Sequence, residues 1–127
     1  GEQAIVLTHV PIHPDATVPG GLLWNYDEVL DLFRRAGDGR VALVLAGHYH
    51  SGGYALDGAA GTHHVTLPSP LHAEEGEPRA HCTVEVFPDR VEIRGRGLVP
   101  SRTLALRPPA RTSAATAEQE PLVASSL

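Results

Sequence analysis

VALVLAGHYH, residues 41–50, is a run of six apolar residues that leads straight into Gly47 and two histidines spaced two apart. A short continuous apolar run bounded by glycine reads as a strand. Working outward, AIVLTH (4–9) has the same character, reads as a strand buried on both faces, and also ends on a histidine. Residues 10–25 form a loop punctuated by Pro11, Pro14, Pro19 and the pair Gly20–Gly21. A helix is predicted over residues 26–36, with Asn25 as N-cap, Glu28 at the third helical position as in a capping box, and Trp24 stapled onto Val29. Val29, Leu30 and Phe33 supply its apolar stripe, Asp27 and Glu28 open it, Arg34 and Arg35 close it, and Gly37 ends it. Residues 4–46 therefore make a βαβ unit with parallel strands and a right-handed crossover.

The second half reads differently. Residues 54–56 and 63–67 flank a turn at Asp57 and Gly58, and residues 82–87 and 91–96 flank a turn at Pro88 and Asp89, giving two antiparallel hairpins. Residues 68–79 form a polar loop. Residues 1–106 are expected to be part of one α/β domain and residues 107–127, rich in Ala, Ser, Thr and Pro, a disordered tail. A parallel sheet needs cover on both faces, so the expected βαβ unit calls for further strands or for association with another chain.

Composition narrows the function. The net charge is −5 and all ten basic residues are arginines without a cluster, which argues against nucleic acid as a partner. Six apolar residues fall far short of the roughly 20 that a membrane helix needs. A lone Cys82 excludes an internal disulfide framework. Neither a secretory signal nor a myristoylation pattern stands at Gly1, and the chain enters an apolar strand by Ala4, so it is expected to be cytoplasmic and to begin in mid-domain.

Eight histidines are unusual for this length. Ligands bind outside the carboxyl ends of strands in open α/β sheets. His9 on one side and His48 and His50 on the other reach the same sheet edge, and the HxH spacing in extended backbone turns both imidazoles to one side. Three imidazoles there suit Zn, Mn or Fe, in a mononuclear site or a dinuclear one with one histidine of the pair per metal. His13 and Tyr49 are candidate substrate-binding residues. Of His63 and His64, one faces away from any site. His72 and His81 read as solvated, Cys82 as core, and Arg94 and Arg96 as a solvated edge that could otherwise bind phosphate.

THVPIHP, LLWNY, LAGHYHSGGY, HHVTL and GRGLVPSR, in this order from about residue 5 to 102, resemble the C-terminal half of the calcineurin-like metallophosphoesterases. Within them the chain is similar to the manganese-dependent ADP-ribose/CDP-alcohol diphosphatases. The resemblance implies the C-terminal part of a four-layer α/β-β/α sandwich with a dinuclear centre, manganese in the first place and Fe or Zn as alternatives. His9 and His48 would bind one metal and His50 the other. It also implies hydrolysis of a small nucleoside diphosphate derivative by metal-activated hydroxide. The family's D-x-H, G-D-x-x-D and G-N-H-[DE] motifs do not occur in the sequence, nor does an acidic stretch in place of Pro68–Pro70. The N-terminal half of the domain is thus a missing partner, no catalytic residue is assigned in the chain, and the isolated chain is expected to be inactive. The alternatives are a truncated or degenerate non-catalytic domain and one half of a split enzyme.

Overall fold

A computed structural model describes residues 2–75 and 79–109. Seven strands and one α-helix follow in the order β1 (Ala4–Leu7), α1 (Tyr26–Ala36), β2 (Val41–Ala46), β3 (Gly53–Asp57), β4 (Thr62–Thr66), β5 (His81–Val86), β6 (Arg90–Arg96) and β7 (Arg102–Ala105). One sheet has the strand order β1-β2-β4-β3 and the other β5-β6-β7.

The helix occupies its predicted span, and Gly37, at φ 106°, donates its N–H to Arg34 O. Its start differs from expectation. Asn25 makes no side-chain capping bond, because its ψ of 36° departs from the extended backbone that a cap requires. Backbone bonds from Tyr26 to Leu23 O and from Val29 to Asn25 O close the first turn instead. Leu23 packs against the helix cluster while Trp24 stands 89% exposed, so the staple is not formed.

β1 pairs in parallel with β2, as the βαβ reading requires, with Ile5 opposite Leu43 and Leu7 opposite Leu45. The first hairpin forms as β3 and β4, but β4 inserts beside β2 in parallel, with Leu43 opposite His63 and Ala46 opposite Thr66. The chain therefore covers most of its own sheet. Val44 faces α1 in a cluster with Ile12, Leu30 and Phe33, while Leu43 and Val65 face the second sheet through Val91, Ile93, Val99 and Leu104. β1 alone departs from the expected double burial. It is an edge strand among the described residues, and Leu7 is 75% exposed.

The second hairpin forms as β5 and β6, to which β7 adds an unpredicted third strand. Arg107, placed in the tail by sequence, is tied to the body: its guanidinium donates to Asp38 Oδ1 and Gly58 O, and its carbonyl accepts from Gln3 Nε2. Residues 110–127 of the expected tail lie outside the described residues.

Candidate metal centre

Two backbone bonds carry the β1–β2 ladder past its strands: Thr8 N–H donates to Leu45 O and Gly47 N–H to His9 O, both at 3.0 Å. They lock the two strand ends together and bring the His9 and His48 rings edge to face, 5.2 Å between centroids. No nitrogen of either ring has a hydrogen-bond partner among the described residues, so all are free to bind a ligand. The rings open into a cleft of about 520 Å³ that His50 and His81 also line, with Leu7, Leu67, Pro68 and Pro70 as apolar walls.

The HxH segment is not extended. His48 sits at φ 63°, the only non-glycine described in the left-handed region, and Tyr49 N–H donates across it to Gly47 O at 2.7 Å. This is the tight three-residue turn, rare and strained for a residue with a side chain. A second turn, from Gly52 N–H to Tyr49 O, follows at once. His48 and His50 share the cleft because the chain folds back there; strand alternation plays no part.

His72 is exposed, as expected, and its Nε2 lies 3.1 Å from His50 Nδ1. The loop that carries His72 is drawn over by Ser69 N–H donating to His50 O. His81 donates Nδ1–H to Arg79 O and belongs to the cleft wall, which sequence reasoning missed. Among the described residues, no three His, Cys, Asp or Glu side chains converge as a cation would require. The free imidazoles of His9 and His48 suit a divalent metal as donors, and carboxylate ligands would have to come from elsewhere.

The remaining candidates are placed apart. His13 caps the short 3₁₀ turn Pro14–Ala16, its Nδ1 accepting from Asp15 N–H, and its ring packs 5.0 Å from that of His64. Tyr49 backs onto Gly21; neither it nor His13 lines the cleft. His63 and His64 point to opposite faces of β4, as alternation predicts. His63 bonds Tyr54 Oη and Ala105 O toward the second sheet, whereas His64 lies under Phe33 with both ring nitrogens unpartnered. Burial, reinforced by His13, lowers the His64 pKa to about 4. Cys82 packs into the inter-sheet cluster, where burial raises its thiol pKa, and Arg94 pairs with Glu85 and Glu92 on the outer face of its sheet.

No family model matches the chain. A dimetal phosphatase from Danio rerio superposes with a TM-score of 0.71 at 32% identity, over 84% of this chain and 32% of that one. The fold is that of part of a metallophosphoesterase. Manganese-dependent ADP-ribose/CDP-alcohol diphosphatases from Xenopus tropicalis and Homo sapiens are 42% and 36% identical over 108 and 103 residues. The chain resembles these diphosphatases over 85% and 81% of its own length, and it spans about 30% of theirs. The expected resemblance and fold class both hold.

Proposed function

We propose that this chain is the imidazole-bearing part of a metal-dependent phosphoesterase whose whole protein hydrolyses the diphosphate of ADP-ribose or CDP-alcohol type substrates. The observation that carries it is the His9–His48 pair, held by the Gly47–His9 backbone bond, with its ring nitrogens free and facing the cleft. The manganese dependence and two-metal character named for the relatives support a dinuclear manganese centre. His9 and His48 would hold one metal and His50 the other, with the His72 contact orienting the His50 ring. When bound, such a pair of metals supplies charge stabilisation and an activated nucleophile for in-line attack on phosphorus. The apolar walls of the cleft would shield one side of a diphosphate bound there from water.

Carboxylate ligands for such a centre would come from segments outside this chain, which spans about 30% of the relatives' length, and a polypeptide that supplies them would be its partner. No helix among the described residues is long and apolar enough to cross a membrane. The unpaired Cys82 thiol suits the reducing cytoplasm, where we place the protein.

Manganese titration of the 127-residue chain, followed by paramagnetic broadening of assigned resonances, tests the ligand set. Broadening should centre on His9, His48 and His50. His9→Ala and His48→Ala should each weaken binding by at least the roughly tenfold that loss of even an outer-shell partner costs. Broadening centred elsewhere removes these residues from the set. Incubation with ADP-ribose and manganese should release no AMP above background, because the chain lacks the carboxylates; turnover would refute that argument. In a second reading the chain is a non-catalytic piece that binds no manganese, and a titration without any broadening would select it.

A further inference from the structure

We propose that the cavity beside the histidine cleft is a phosphate-binding subsite built on Arg102. It measures about 280 Å³, and Ser51, Gly52, Pro68, Leu98, Val99 and Arg102 are among its walls. It shares Leu67, Pro68 and Val99 with the histidine cleft, so a ligand reaching across that wall touches both. Arg102 is the one charged residue in its lining, and it forms no ion pair among the described residues. In a chain of net charge −5, that leaves a positive charge uncompensated within a concave, otherwise neutral wall.

The guanidinium is also held in place. Its Cζ sits 4.7 Å above the Tyr54 ring. Ala105 O can only accept, so His63 Nε2 carries the proton and Nδ1 accepts from Tyr54 Oη, which fixes that ring from both sheets. Stacking occupies one face of the guanidinium and leaves its in-plane N–H groups, which match the oxygens of a phosphate. The Ser51 hydroxyl, one residue beyond His50, has no partner among the described residues and adds a donor at the rim. Gly52 keeps the shared wall closed: at φ 73°, a Cβ there would meet Pro68 Cδ and Cγ at 2.8 Å. The choice of phosphate over other anions rests on the phosphoesterase reading above. The group is either free phosphate or the second phosphate of the diphosphate substrate.

The test titrates inorganic phosphate into the isotope-labelled 127-residue chain in the presence of a chelator. Arg102 Nε–H and the amides of Ser51, Gly52 and Gly53 should shift with a dissociation constant in the roughly millimolar range, and His9 and His48 should not move. Arg102→Gln should weaken binding by about tenfold. Leu98→Glu sets a carboxylate into the same wall at a half-exposed position and should do likewise with the Arg102–Tyr54 stack intact, which keeps the test decisive if Arg102→Gln unfolds. Shifts centred on His9 and His48, or unchanged affinity in Leu98→Glu, would overturn the subsite. Adding ADP-ribose with zinc, a diamagnetic stand-in for manganese, then separates the sources: movement of Arg102 Nε–H assigns the substrate's own phosphate, and movement in the histidine cleft alone assigns free phosphate. Since the first titration contains no metal, a chain that binds phosphate at Arg102 but no manganese rejects the metal reading and leaves the subsite standing.

Discussion

His64 is 2% exposed, stacked between Phe33 and His13, with neither ring nitrogen hydrogen-bonded. A neutral imidazole fits that place and a charged one does not. Its pKa is about 4 in the folded chain against an ordinary 6.5, so the unfolded chain binds the proton first. The sign follows from linkage: stability is intact above about pH 6.5 and falls as the pH drops toward 4, by about 3 kcal/mol for this one group. His64→Phe removes the titrating ring and its unsatisfied N–H. Urea denaturation at pH 5 and pH 7.5 should show a smaller difference between the two pH values in the variant than in the parent. An equal difference would assign the acid sensitivity elsewhere. Among the cleft histidines, the strand-end position of His9 and His48 was legible from two apolar runs that each end on histidine. The left-handed turn at His48 was not, because few non-glycine residues adopt it and the backbone bond beside it, Gly47 N–H to His9 O, joins a segment remote in sequence.

At the scale of elements, Gly53 opens β3 where the turn Pro14–Ala16 crosses it. A Cβ at Gly53 would lie 2.3 Å from Ala16 O, a backbone atom that cannot turn aside. Gly53→Ala should therefore destabilise the chain by about 2 kcal/mol in chemical denaturation. Gly20→Ala, with nothing within 4 Å, should stay within about 0.5 kcal/mol. Equal effects would mean that the turn is not held against β3. What decides an element locally was readable. The α1 span follows from its stripe, its end charges and Gly37, and both hairpins follow from their turn residues. What depends on distant partners was not. β4 slips between β2 and β3, β7 joins an existing pair, His72 arrives against His50 from the loop before β5, and His81 reaches the cleft wall at the start of β5.

For the whole molecule, the two sheets and α1 shield β2 and β4 on both faces, while β1, with the exposed Leu7, is an unpaired edge among the described residues. Such an edge pairs readily with another chain. Leu7→Lys should reduce concentration-dependent association in sedimentation velocity without lowering the melting temperature, and unaltered association would place the sticky surface elsewhere. The ring contacts, too, are spread across the whole molecule. His9 with His48 spans two strand ends, His13 with His64 spans the loop and β4, His50 with His72 spans a turn and its covering loop, and Tyr54 with His63 spans neighbouring strands. Each carbon-bound imidazole proton in these pairs feels the magnetic shielding of the ring beside it. One proton spectrum therefore contains four separate gauges of closure, and they would record in what order the junctions open as the chain is warmed.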